Sequence, residues 1–252
     1  MPLKKITRSY LVCSTPRSGS NLLCEALKNT KLAGRPHQYF WADNERKWAE
    51  KYQLPIERDY AAYVQGIITS SATANGVFGF KSMWDFLLDF ERRLRSTPRY
   101  STHQGPLNAL LADVFPGLRY IHITRRDSLA QAVSLARAIQ TQLWTSKQQD
   151  SRTAQTEPAF DFELIRRCQE DLRAFEGAWK SFFENAGIRP FEISYEELVA
   201  NFEETAVAIL RYLEIEIPAA TQFRPRELKK QGDDLNQRWA EQFAERAASL
   251  KT

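Results

Sequence analysis

The chain has 252 residues, 43% of them hydrophobic, which is enough for a packed core and fits one large α/β domain or two small ones. Its 35 Lys and Arg stand against 31 Asp and Glu, and the resulting charge of +4 is dispersed, which argues against nucleic acid while suiting a small anionic ligand. Cys13, Cys24 and Cys168 make an odd, sparse set with no CxxC, so neither a disulfide scaffold nor a zinc site is expected, and a reducing cytoplasm fits.

The first apolar run is far too short for a membrane span. It reads as a buried strand, Tyr10–Ser14. A polar loop, Ser14-Thr15-Pro16-Arg17-Ser18-Gly19-Ser20-Asn21, follows, and then a helix, Asn21–Lys28, with Leu22, Leu23, Ala26 and Leu27 at helical spacing. A strand, a tight loop and a helix start form an anion cradle. Loop N–H groups and the positive helix end favour an oxyanion, Arg17 adds a fork of donors, and Ser18, Ser20 and Asn21 add more. Helix capping alone also explains a lone Ser-Gly-Ser-Asn. No G-x-x-x-x-G-K-[ST] and no G-x-G-x-x-G is present, which weakens any ATP-kinase or NAD reading.

The remaining pattern alternates. Further strands are expected at Val77–Lys81, Arg119–Thr124 and Phe191–Ser194. Helices are expected at Arg58–Thr69, Trp84–Arg95, Pro106–Val114, Ser128–Thr145, Asp161–Asn185 and Tyr195–Leu213. Continuous apolar strands separated by helices predict a central, mainly parallel sheet covered on both faces, in a single domain over residues 1–252. Residues 145–157 are wholly polar and read as a connector or a lid. The tail from about 226 is helical, with Leu235, Trp239 and Phe243 on one side.

Two further strand exits carry charge. Arg125-Arg126-Asp127 follows the third strand, with Asp127 as a helix cap and Ser134 about two turns beyond it. Arg125 or Arg126 with Ser134 forms a second candidate anion site. Lys81 ends the second strand, on the sheet edge where open α/β sheets bind ligands. Two anion sites at neighbouring strand exits fit one ligand with two phosphates. His122, inside a strand, reads as a packed core histidine, and His103, in a loop, as exposed.

As a set, TPRSGSNLLCEAL, ITRRDSLAQAVSLARAIQTQLW, GVFGFKSMW and AGRPHQYF resemble, in the same order, segments of the bacterial sulfotransferase family typified by mycobacterial trehalose sulfotransferase. The resemblance runs from Tyr10 to about Trp144, and more weakly through Trp179 and Gln231-Gly232 to Trp239. It implies a P-loop-like three-layer fold, 3′-phosphoadenosine-5′-phosphosulfate (PAPS) as donor, no metal, a carbohydrate or glycolipid hydroxyl as acceptor, and a homodimer. It assigns Arg17, Ser18, Gly19, Ser20 and Asn21 to the 5′-phosphosulfate. Arg125 and Ser134, with Lys230 from the tail, go to the 3′-phosphate, and Lys81 matches a family lysine that would neutralise the cofactor's phosphates or the charge that develops on transfer. The family's proposed glutamate base aligns with Gln38, whose amide takes no proton, so adjacent His37 is the other candidate. Arg35, Tyr39, Phe40, Trp84 and Trp144 are candidates to bind the acceptor. A family member that binds PAPS with little catalysis is the alternative reading.

Overall fold

A computed structural model describes residues 5–56, 59–144, 157–219 and 234–250. Four strands, β1 (Arg8–Ser14), β2 (Val77–Ser82), β3 (Leu118–Thr124) and β4 (Phe191–Ser194), form one sheet in the order β2-β1-β3-β4. All three pairings are parallel, so the four carboxyl ends, Ser14, Ser82, Thr124 and Ser194, lie along one edge. The connection from β1 goes one way to β2, and the next returns past β1 to β3. The crevice at this reversal is where ligands of such sheets sit.

The strands expected from the apolar runs are present, each within two residues of its expected start. Leu11, Cys13, Phe78 and Phe80 face one core layer, and Tyr10, Val12, Val77, Ile121 and Ile123 the other, so helices cover both faces. The described helices are α1 (Ser20–Asn29), α2 (Ala42–Tyr52), α3 (Tyr60–Ser71), α4 (Trp84–Arg95), α5 (Leu107–Val114), α6 (Ser128–Thr141), α7 (Phe162–Asn185), α8 (Tyr195–Ala200), α9 (Phe202–Tyr212) and α10 (Asp234–Ser249).

Three differences from the sequence reading have local causes. Helix α2 lay outside the expected elements because its sequence, ADNERKWAEKY, is mostly charged; it is anchored by buried Glu45, Trp48 and Ala49. The expected Ser128–Thr145 helix stops at Thr141, where Gln142 turns left-handed. The expected Tyr195–Leu213 helix is two, because Asn201 is non-helical and serves as the C-cap of α8 and the N-cap of α9. On the tail, Trp239 and Phe243 are buried against α6 and α7, as their spacing implied. Most of the 145–157 loop and Lys230 lie outside the described residues.

Candidate active site

The turn from β1 into α1 is built by backbone conformation. Arg17 has φ 62° and Gly19 φ 89°. A Cβ at Gly19 would meet Tyr195 Cδ2 at 2.5 Å, so only glycine fits between the loop and that ring. Gly19 is also the N-cap of α1, and no side chain caps the helix. The loop hydroxyls are therefore not consumed by capping, and the first N–H groups of α1 have no capping side chain.

Other elements hold this loop from three sides. From α6, Gln131 Nε2 donates to Thr15 Oγ1 at 2.9 Å and to the Pro16 carbonyl at 2.7 Å. From α7, the buried Trp179 indole donates to the Ser14 carbonyl at 3.2 Å. From α8, Tyr195 packs on Gly19, and its ring carries the Arg125 guanidinium 4.9 Å from its centroid. None of these three contacts was anticipated, since side-chain aim across elements leaves no mark on sequence periodicity.

The two candidate anion sites are one cluster. Arg17 Nε donates to Ser134 Oγ at 2.9 Å, Arg17 Nη1 to the Trp144 carbonyl at 2.6 Å, and Arg125 Nη1 to the Arg17 carbonyl at 3.3 Å. Burial, then the positive charges of Arg125 and Arg137, lower the Arg17 pKa to about 10. On the other side, Lys81 is buried at the end of β2, and its Nζ donates to Asn21 Oδ1 at 2.5 Å and Ser20 Oγ at 3.3 Å. Its contacts are neutral, so burial, followed by Arg17, lowers its pKa despite the opposing Cys24 thiol. Ser18 Oγ and Arg125 Nε are buried without a partner among the described residues. Burying such donors is costly unless something accepts from them. Crowded cations, spare donors and a helix N-terminus fit a polyanionic ligand. Among the described residues, no His/Cys/Asp/Glu group is arranged to hold a metal ion.

The 34–41 segment borders this cluster. Gly34, at φ 70°, passes so close to β2 that a Cβ would lie 2.9 Å from the Val77 carbonyl oxygen. The segment's carbonyls are then fixed in turn. Tyr39 Oη donates to Arg35 at 2.5 Å, the Lys81 amide to His37 at 3.0 Å, Tyr63 Oη to Tyr39 at 2.8 Å and Arg93 Nη2 to Phe40 at 3.0 Å. Gln38 is buried and its Nε2 has no partner among the described residues. His37 is more than a third exposed, but its ring stands edge-on to Trp48, centroids 4.6 Å apart, and Nδ1 accepts from the Gln38 amide at 3.1 Å. Partial burial and then Lys81, Lys47, Lys28 and Lys51 lower its pKa to about 3, so the imidazole is neutral at physiological pH.

Of the five residues expected to bind the acceptor, Tyr39 and Phe40 are not exposed for that role. Tyr39 and Phe40 are core residues, 1% and 4% exposed, with Phe40 stacked on Phe90, so neither presents a ring face to an acceptor. Trp84 is half-buried and packs edge-on against Trp179, centroids 5.1 Å apart. Trp144 is 38% exposed, and Arg35 is exposed. His122 is buried, as expected, with Nε2 3.0 Å from Glu176 Oε1. His103 is not the exposed loop residue expected: it is half-buried, with Nε2 3.0 Å from Asp113 Oδ2.

A profile of the Stf0 sulphotransferases matches residues 9–246. The chain belongs to the Stf0 sulphotransferase family. It is 30% identical to trehalose 2-sulfotransferase of Mycobacterium tuberculosis (strain ATCC 35801 / TMC 107 / Erdman) over 230 residues, 82% of this chain and 85% of that one. It is likewise 30% identical to trehalose 2-sulfotransferase of Mycolicibacterium smegmatis (strain ATCC 700084 / mc(2)155) over 256 residues, 93% of this chain and 94% of that one. The sulfotransferase domain of the Synechococcus PCC 7002 olefin synthase superposes on 96% of this chain and 97% of its own at 15% identity, with a TM-score of 0.47. Family membership makes this Stf0 chain a sulfotransferase, an enzyme that takes its sulfuryl group from a donor. Among its described residues, no helix is long and apolar enough to cross a membrane.

Proposed function

We propose that this sulfotransferase uses PAPS as donor and transfers its sulfuryl group to a carbohydrate hydroxyl, with a trehalose-like disaccharide as the first acceptor to try. The observation that carries the donor is the Arg17–Ser134–Arg125 cluster, a cationic seat one step from the β1–α1 loop. A donor with a 3′-phosphate in addition to its 5′-phosphosulfate supplies the two anions that loop and cluster call for. In this reading Ser18, Gly19, Ser20 and Asn21 hold the 5′ end, while Arg17, which the resemblance assigned to the 5′-phosphosulfate, joins Arg125 and Ser134 at the 3′-phosphate because its Nε is bonded to Ser134 Oγ. Lys230, outside the described residues, stays an expectation from the resemblance alone.

Sulfuryl transfer is in-line and loose, like phosphoryl transfer, so positioned donors rather than covalent steps lower its barrier. Lys81 bridges the loop and the 34–41 segment, and in this role it neutralises charge on the leaving bridge oxygen. The acceptor oxygen forms its bond to sulfur as the sulfur–bridge-oxygen bond breaks. The leaving bisphosphate keeps that electron pair. His37 takes the hydroxyl proton at Nε2 from the tautomer whose own proton sits on Nδ1, which gives up the bond that Nδ1 accepts from the Gln38 backbone N–H. A weak base suffices if the proton leaves late. Gln38 contributes a hydrogen-bond donor, not a base.

The reading is tested by incubating the protein with PAPS labelled in the sulfuryl group and with trehalose or related sugars. Labelled sugar is expected, without added metal; label that never leaves PAPS with any sugar or glycolipid would overturn it. A homodimer belongs to the same reading, and a sedimenting species of twice 29.1 kDa is expected.

A further inference from the structure

Lysines from α1, α2 and β2 gather near His37 in the 34–41 segment. Lys51 Nζ lies 4.9 Å and Lys47 Nζ 5.8 Å from the centroid of the Trp48 ring, against which His37 stands. Lys28, at the end of α1, and Lys81 are the other cations close enough to act on His37. Lys28, Lys47 and Lys51 are exposed, and no ion pair joins any of them to a carboxylate among the described residues. Two of the acidic residues of α2 have other partners. Glu45 is held by Arg93 and by Tyr60 Oη at 2.6 Å, and Glu50 lies 3.4 Å from Arg46. Asp43 stands one turn before Lys47 on the same helix, with no ion pair between them among the described residues, and about 12 Å along the helix from Lys51.

Lys28 and Lys51 sit in the last turns of their helices, where the dipole favours a cation. That explains their type but not why two helices converge their lysines on the one exposed imidazole beside Lys81. Gln38 adds a buried Nε2 donor with no partner among the described residues. A neutral sugar gives such a field nothing to neutralise.

From this juxtaposition we infer that the acceptor carries its own negative charge: it is a hydroxyl compound bearing a carboxylate or a phosphate, bound by Lys47, Lys51 and Lys28 with its hydroxyl at His37. The inference rests on the sulfuryl-transfer reading above and narrows its acceptor. A localised anion at the rim, held by dispersed lysines, also predicts that ionic strength weakens acceptor binding.

The test compares labelled transfer from PAPS to glucose, glucuronic acid, glucose 6-phosphate, trehalose and trehalose 6-phosphate. At least one anionic acceptor is expected to exceed its neutral counterpart tenfold or more in kcat/KM. The carboxylate and phosphate arms identify which anion is read. The double variant Lys47→Glu/Lys51→Glu is expected to reduce this preference at least tenfold; stabilisation of the variant by adenosine 3′,5′-bisphosphate verifies its fold. Neutral sugars matching or exceeding every anionic one would overturn the inference while leaving sulfuryl transfer intact, and so would an unchanged preference in the double variant. Absence of transfer to any acceptor would remove the parent reading and this inference together.

Discussion

Arg17 Nε and Ser134 Oγ meet at 2.9 Å across 117 residues of sequence, and this bond joins the loop after β1 to the helix after β3. Parallel pairing of β1 with β3 makes it possible, because it sets the two strand exits side by side. The same bond aims the Arg17 fork away from α1, toward α6. Arg125 and Arg137 place like charge beside Arg17, so an anion bound among them relieves that repulsion.

Arg17→Ala and Arg125→Ala are therefore expected to abolish thermal stabilisation by adenosine 3′,5′-bisphosphate. Ser134→Ala, which removes one hydrogen bond to a charged group, is expected to cost about 1.5–3 kcal/mol of binding, roughly 10- to 100-fold in affinity. Retained stabilisation in both arginine variants would overturn the donor-site assignment.

Gly19→Ala tests the loop itself. A side chain at φ 89° is strained, and its Cβ would lie 2.5 Å from Tyr195 Cδ2. The left-handed conformation costs about 1–2 kcal/mol, and displacing Tyr195 also disturbs its contact with Arg125. The expected outcome is a melting temperature several degrees lower together with weakened bisphosphate binding. An unchanged melting temperature would mean that the loop tolerates another conformation.

Much of this loop was legible because the information is local. A continuous apolar strand, a short polar turn with one glycine and an apolar helix follow one another in sequence. Arg125 and Ser134 were legible for the same reason, as exit and helix of another strand. What Tyr39 and Phe40 do was not, since an aromatic in a loop looks the same whether it packs or binds. Here Phe40 lies between Phe90 and Phe80, and Tyr39 against Trp48. Tyr195, Gln131 and Trp179 act on a loop 115 to 176 residues away by contacts that only the folded sheet creates.

Lys81 makes a pH-dependent prediction. Its pKa is held below the ordinary lysine value, so its charge is lost at lower pH than that of a free lysine. Donor affinity should fall as pH rises through that lowered pKa, and Lys81→Arg should keep its affinity to higher pH. Lys81→Met is expected to lower kcat by about 10²–10³, the size of a lost charge-stabilising donor. A kcat within twofold of wild type would exclude Lys81 from the reaction.

For His37 the sign is opposite to that of a histidine held charged. Its folded pKa of about 3 lies below the unfolded value of 6.5, so the unfolded chain binds the extra proton between them. The His37 contribution to stability is present above pH 6.5 and is lost as pH falls toward 3. His37→Asn should flatten that part of an acid-unfolding curve, modestly, because solvent screens an exposed ring. In turnover it should cost about 10²-fold or more in kcat with bisphosphate binding unchanged. Undiminished kcat would remove His37 as the proton acceptor.

The most direct test of the account is calorimetric binding of adenosine 3′,5′-bisphosphate beside adenosine 5′-monophosphate, which lacks the 3′-phosphate. The bisphosphate is expected to bind at least 100-fold more tightly, and Arg125→Ala/Ser134→Ala should erase that difference. Equal binding of the two nucleotides by the wild-type protein would contradict the assignment of Arg17, Ser134 and Arg125 to a 3′-phosphate, and with it the proposed donor.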